Sequence, residues 1–214
     1  MGFLSYLSKT YHRNLLEKLL NKYKYLIKGN ILDIGSKNRR YDHLFKGNIT
    51  AIDIRSKPEY NILKGDLTHL EYESNNFDSI ICLEVFEYIE PDKFKQGYEE
   101  IYRVLKPNGR VIISIPFYYK DHEDFMRVTY DYILNYLIQL NQFKIKIIKF
   151  GNKYTALYDV IRYTKLERKS NILRNFCYNS VLLILYLVIK LFTLEKKQDF
   201  FYSGCFIILS KTPS

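Results

Sequence analysis

Glycine is scarce where this chain most looks like a nucleotide-binding protein. The stretch "ILDIGSKNRR" (31–40) runs from an apolar strand-like segment into Asp33 and Gly35. A dinucleotide fingerprint starting at Gly35 needs glycine at positions 37 and 40, so that the backbone can approach a pyrophosphate. Lys37 and Arg40 stand there instead, which argues against a dinucleotide cofactor. Cysteine is also sparse: Cys82, Cys177 and Cys205 are odd in number and widely spaced. They form neither a disulfide framework nor a metal motif, and suit a reducing compartment. Long apolar runs are missing too. A membrane span needs about twenty apolar residues, whereas "SVLLILYLVIKLFTL" (180–194) is shorter and is interrupted by Lys190. The start, "MGFLSYLSKTYHRN", turns polar by Lys9, lacks a small-residue cleavage site, and has Tyr6 where a myristoylation pattern wants Ser or Thr. Neither a secretory signal nor an N-terminal acyl chain is expected. No internal repeat, low-complexity linker or appended RNA-binding motif is present.

What remains is the composition of a folded protein. Of 214 residues, 47% are hydrophobic and 26% charged, enough apolar surface for one domain with a sizeable core. The formal net charge is +10, spread through a Lys-rich chain rather than gathered in one patch. It favours anionic partners or surfaces. Apolar residues at Leu15, Leu16, Leu19, Leu20, Tyr23, Leu26 and Ile27 predict an amphipathic helix over 14–27, closed by Gly29. The period then changes. Ile31–Ile34, Ile49–Ile54 and Ile80–Leu83 are short β-branched runs that predict buried strands. A helix is expected between Phe94 and Leu105, stopped by "KPNG", where Pro107 cannot continue it and Gly109 is free to turn. "RVIISIP" (110–116), "FKIKIIKF" (143–150) and "GCFIILS" (204–210) predict three more strands, and Thr129 an N-cap with Asp131 in the first turn. Strands alternating with helices make an α/β sandwich on a largely parallel sheet. Residues 151–200 are too long for an ordinary connection and should carry helices of their own.

In such sheets ligands sit beyond the carboxyl ends of the strands, where Asp33 and Gly35 fall. An acid beside a lone glycine suits a cationic or amino-bearing ligand better than a phosphate. "ITAIDI" ends at Asp53, placed to accept both hydroxyls of a ribose. "ILKGDLTHL" puts Asp66 on a further carboxyl end, within reach of an adenine amino group, and "NNFDSIICLEVFEYIEP" continues through a buried strand to Glu84 and Glu87.

This succession resembles the class I S-adenosylmethionine-dependent methyltransferases, of the methyltransferase type 11 kind, over about residues 28–150 and the last strand. The family's D-x-G-x-G-x-G is matched at Asp33 and Gly35 and broken at Lys37 and Arg39. "FDSIICLEVFEYI" is similar to its F-D-x-[IV]…V-L-E-H-[IV], and "EEIYRVLKPNGRVIISIP" to its R-x-L-K-P-G-G strand entry. The resemblance implies a Rossmann-like sandwich with a mostly parallel seven-stranded sheet, the last strand antiparallel, and a helical insertion before it. It implies one methyltransferase-like domain over 1–214, with an N-terminal helix within 1–29 and the insertion over 151–200. The cofactor implied is S-adenosyl-L-methionine, held by Asp33, Gly35, Ser36, Asp53, Ile54, Asp66, Leu67, Leu83 and Glu84. No metal is implied.

Methyl transfer from a sulfonium is an in-line displacement, which needs the acceptor held near attack distance and water excluded. The fold puts acceptor contacts after the fifth strand, in "PFYYKDHEDFMRVTYD" (116–131). His122 is the candidate base for a hydroxyl acceptor. Tyr118, Tyr119 and Arg127 are the candidate substrate residues, Arg127 either pairing an anionic group or bracing the loop through Asp124 or Glu123. The segment resembles one found in a subset of these enzymes linked to polysaccharide or glycolipid modification. The partners expected are a small-molecule or glycolipid acceptor and, through residues 180–194 and the basic residues Arg168, Lys169, Arg174, Lys196 and Lys197, an anionic membrane surface. A buried core helix is the other reading of that run. The expected location is the cytoplasm, peripheral on the inner face of a membrane. Two other functions are consistent with the residues: an RNA methyltransferase, for which the dispersed charge is the weaker argument, and a non-catalytic binding module that lost its cofactor with the glycines at 37 and 39.

Overall fold

A computed structural model describes residues 6, 8–118, 123–166, 172–196 and 200–212. Seven strands form one sheet: β1 (Lys28–Ile34), β2 (Lys46–Asp53), β3 (Ile62–Lys64), β4 (Phe77–Leu83), β5 (Leu105–Pro116), β6 (Phe143–Phe150) and β7 (Gly204–Lys211). Their order is β3-β2-β1-β4-β5-β7-β6. The pairs within β1–β5 are parallel, while β7 runs antiparallel to both β5 and β6. The chain order reverses between β1 and β4, which opens a crevice at their carboxyl ends.

Strand periodicity sorts the core into two layers. Leu32, Ile80, Ile113 and Ile207 point to one face and pack under α2 (Phe94–Val104) and α3 (Tyr130–Leu140). Their neighbours Ile31, Ile81, Ile112 and Ile208 point to the other, covered by Leu16, Leu20 and Tyr23 of α1 (Tyr11–Tyr23). Thr129 caps α3 as expected, its hydroxyl accepting from the Tyr132 N–H at 3.2 Å.

Three local expectations shift. The first helix starts three residues earlier than its apolar pattern, because the Thr10 side chain accepts from the Arg13 N–H at 3.1 Å and fixes the first turn; after Tyr23 it tightens into a 3-10 turn, Lys24–Leu26. Gly29 lies inside β1. "KPNG" belongs to an irregular start of β5, and the left-handed residue there is Asn108 (φ 63°), not Gly109. Gly109 is needed for room, since a Cβ on it would come within 2.7 Å of Leu105.

Between β6 and β7 the chain forms α4 (Lys153–Leu166) and α5 (Ile172–Leu191). A third apolar cluster joins them to α1: Tyr6, Tyr11, Tyr158, Leu182, Tyr186 and Ile189. The first turn of α1 is held from outside itself, because the Asp159 carboxylate of α4 accepts the N–H groups of Tyr11 (2.5 Å) and His12 (2.9 Å).

Candidate cofactor site

A cleft of about 900 Å³ opens at the carboxyl ends of β1, β2 and β4. Asp33, Gly35, Ser36, Asp53, Ile54, Asp66, Leu67, Leu83 and Glu84, picked from separate sequence segments, all line it.

The loop after β1 shapes its floor. Gly35 and Ser36 donate their N–H groups to the Ile52 carbonyl at 2.9 and 3.0 Å, folding the loop across β2. Gly35 is left-handed (φ 71°), and a Cβ there would meet a Val85 methyl at 2.3 Å. Lys37 and Arg39 are left-handed as well, both at φ 53°. Positions 35, 37 and 39 thus keep a glycine-like backbone with only one glycine among them. Each non-glycine residue in that region costs about 1–2 kcal/mol. The turn has local compensation: the Lys37 N–H donates to Asp53 Oδ2 at 3.0 Å, and Lys57 Nζ donates to the Lys37 carbonyl at 2.5 Å. Arg39 turns away from the cleft. Its guanidinium pairs with Asp42 (Nε–Oδ2, 2.6 Å) and donates to the carbonyls of Asn61 and Ile49, both at 3.3 Å. The break in the glycine pattern is therefore one of side chains, while the backbone at 37 and 39 stays in the left-handed region where glycine is at home.

Asp53 also accepts from the Arg55 N–H at 3.3 Å. Two backbone donors leave about half of a carboxylate's acceptor sites open, enough for a diol. Asp66 is held by the N–H and hydroxyl of Thr68, both at 2.8 Å. Asp33 is buried, and burial pushes its carboxyl up to about 7, with Asp42 and Asp53 adding to the rise and Arg39 opposing it.

Glu84 closes β4 in a left-handed conformation (φ 59°), its carboxylate accepting from the Ser114 hydroxyl at 3.1 Å and meeting His12 Nε2 at 3.2 Å. Burial alone would raise this carboxyl. The charges and hydrogen bonds of His12, with Arg13 and Ser114, outweigh it and hold Glu84 below the ordinary value. Glu87, three residues on, is treated differently. It borders the same cleft, is 1% exposed, and neither carboxyl oxygen has a hydrogen-bond partner. Burial first, then Glu84 and Asp124, push it well above the usual carboxylate range against the pull of Arg127.

The acceptor-side residues are less gathered. Tyr118 stands outside the cleft lining, its ring against Phe201 at 5.2 Å. Arg127 pairs with Asp124 through Nε (2.5 Å) and a terminal nitrogen (3.2 Å), which braces the loop. Tyr119 and His122 lie outside the described residues. Glu123 and Phe125 of the same segment do line the cleft, and the Phe125 N–H donates to the Glu87 carbonyl at 2.8 Å. Arg13, Arg40, Tyr41 and Val85 line it too, and none of them is a site residue the sequence predicts. Arg13 arrives from α1, the helix just before β1, and packing of that helix brings it there.

Residues 32–113 match the family model of the methyltransferase domain. No curated protein matches the sequence. Among solved structures, a SAM-dependent methyltransferase from Archaeoglobus fulgidus is similar at TM-score 0.59 and 17% identity, covering 94% of each chain. The YcgJ protein from Bacillus subtilis is similar at 0.59 and 14%, covering 92% of this chain and 98% of that one. The Haemonchus contortus phosphoethanolamine N-methyltransferase 2, in complex with S-adenosyl-L-methionine, is similar at 0.55 and 14%, covering 93% of this chain and 53% of that one. The fold is that of the class I methyltransferases, with the seven-stranded sheet and antiparallel β7 expected of them. The domain match covers residues 32–113, and the fold over nearly the whole chain is the one seen in S-adenosylmethionine-dependent methyltransferases.

Proposed function

We propose that this chain transfers a methyl group from S-adenosylmethionine to a small-molecule or sugar- or lipid-linked acceptor. The observation that carries the reading is Asp53, a carboxylate at the end of β2 that keeps acceptor capacity toward the cleft while backbone donors of the reshaped loop hold it in place. Bound there, the cofactor supplies an electrophilic methyl on its sulfonium. Asp53 would take the ribose hydroxyls. Asp66 and Leu67 would border the adenine, and Asp33 and Glu84 the amino group. Gly35 and Ser36 let the chain pass close beneath. Carboxylates at the ends of β1, β2 and β4, Asp33, Asp53 and Glu84, suit a cofactor bearing an amine, a sulfonium and a ribose.

On the acceptor side His122 is the proposed base, taking a hydroxyl proton as oxygen attacks the methyl. Tyr118, outside the cleft lining, and Tyr119 would meet the acceptor from the loop, and Arg127, held by Asp124, would order it. The proposed location is the cytoplasm, on the inner face of a membrane. Titration calorimetry with S-adenosylmethionine and S-adenosylhomocysteine tests the cofactor reading directly. Saturable heat with both is expected. Absence of binding to either would make the chain a non-catalytic module.

A further inference from the structure

We propose that the outer face of α5 docks on the surface of an anionic lipid bilayer. The helix is built the wrong way round for one that faces water. From Asn175 to Ile189 it carries no charged residue. Leu182, Tyr186 and Ile189 are buried against Tyr6, Tyr11 and Tyr158. The opposite side is also apolar and is open to solvent: Ile184 is 61% exposed, Leu187 52% and Leu191 78%, with Phe176, Val181 and Val188 beside them. Lys190, the cation that interrupts the run, points inward. Its ammonium donates to Glu195 at 2.6 Å and lies 5.2 Å from the centre of the Tyr6 ring. A helix of a soluble monomer places such a lysine outward and its leucines inward.

The occupant follows from charge and place. The chain carries a net +10, and the sequence sets Arg168 and Lys169 before the run and Lys196 and Lys197 after it. Two copies of so basic a chain repel one another, whereas an anionic headgroup layer attracts it, with Lys196 exposed at the end of the run, while the apolar face enters the acyl boundary. Among the described residues no helix is long and apolar enough to cross a membrane, so the mode is surface docking.

Topology roots the insertion at the carboxyl end of the sheet. The insertion leaves after Phe150 and returns at Gly204, paired with each other and, for Gly204, with Pro116 at the carboxyl end of β5. That edge also bears the cofactor cleft. Phe201 packs on Tyr118 there, and exposed Phe125 lines the cleft. A bilayer on α5 lies against an insertion whose two ends are rooted beside the acceptor loop. This favours a lipid-linked acceptor, a consequence that rests on the methyltransferase reading while the docking itself does not.

Flotation with phosphatidylcholine vesicles, with and without phosphatidylglycerol, tests the proposal. The chain should float with the anionic vesicles and stay largely in solution with the neutral ones. The triple variant Ile184→Glu, Leu187→Glu, Leu191→Glu should stay in solution with both, while keeping its circular dichroism and its calorimetric affinity for S-adenosylmethionine. A chain that never floats overturns the proposal, and so does a triple variant that floats like the parent, since charge alone would then explain binding. Equal flotation with both vesicles removes the anionic requirement. A dimer in light scattering that the variant dissociates would assign the face to a second copy instead. Calorimetry is read without vesicles, so loss of the cofactor reading and loss of docking are seen separately.

Discussion

The backbone N–H of Lys37 donates to the Asp53 carboxylate at 3.0 Å from a residue whose φ is 53°. A lysine in a strained conformation thus holds the acid that the ribose would need. Strain of this kind persists where surrounding contacts fix it, and the Asp53 and Lys57 hydrogen bonds supply that here.

Lys37→Gly should therefore be more stable than Lys37→Ala. Both remove the same side chain, and only glycine is at home at this φ. The gap should be about 1 kcal/mol, the left-handed penalty less the entropy glycine loses on folding. Denaturant midpoints of the two variants give it. An alanine variant as stable as the glycine one would mean that the loop relaxes out of the left-handed region. Arg39→Gly should gain nothing, because the same change removes the Asp42 ion pair and two carbonyl contacts.

Asp53→Ala should lose about 2–4 kcal/mol of affinity for S-adenosylmethionine, since a charge-assisted contact to two hydroxyls goes and the cofactor groups are left unpaired. Titration calorimetry reads the loss. Unchanged affinity would remove Asp53 from the site.

The strands were legible because short β-branched runs between turn residues have few other uses, and the acids at their ends followed from the strands. The same logic could not reach His12 and Glu84, which meet at 3.2 Å although 72 residues separate them. Nor could it tell the two sides of α5 apart. A run apolar on every face gives no period, so only packing against Tyr6, Tyr11 and Tyr158 selects the buried side. The loop misled in the opposite sense. Lys37 and Arg39 break the glycine pattern as residues, whereas both backbones take the positive φ that glycine favours. Glu87 was visible as a residue, but not as an unpartnered one.

Stability should fall as pH rises from about 4 to about 7. Asp33 is pushed up to about 7, primarily by burial, and Asp159 to about 6 for the same reason. Both carboxyls ionise near pH 4 in the unfolded chain. A group raised on folding contributes stability that is fully present below its unfolded value and is lost as pH rises through its folded value. The window is therefore about pH 4 to 7, and the loss from Asp33 is on the order of a few kcal/mol. Asp33→Asn should flatten the profile of denaturant midpoint against pH, and Glu87→Gln should raise stability at neutral pH by relieving a buried carboxyl without partners. A parent profile already flat between about pH 5 and 8 would contradict the shifts.

His122→Asn tests the acceptor side. A base for a hydroxyl acceptor contributes about 10²–10⁴-fold, so turnover should drop by that much and lose its lower pH limb. A drop below about threefold with an unaltered profile would make His122 part of the scaffold.

Asp159 links the insertion to the cleft. Its carboxylate accepts from the N–H groups of Tyr11 and His12, first-turn donors that have no acceptor within α1 itself, and the His12 ring in turn meets Glu84. Asp159→Ala should therefore act twice. Loss of a buried cap should cost about 1–3 kcal/mol of stability, seen in the denaturant midpoint. The freed first turn should also loosen His12 on Glu84, and affinity for S-adenosylmethionine should fall severalfold in calorimetry under conditions where the variant is folded. Asp159→Asn keeps an acceptor oxygen and should recover part of both. His12→Phe separates the two effects: it removes the contact to Glu84 while leaving the backbone cap in place, so affinity should drop with the cap intact. If Asp159→Ala loses stability and His12→Phe leaves affinity unchanged, the helix is held for folding alone, and Glu84 takes its position from Ser114 and the β4 backbone.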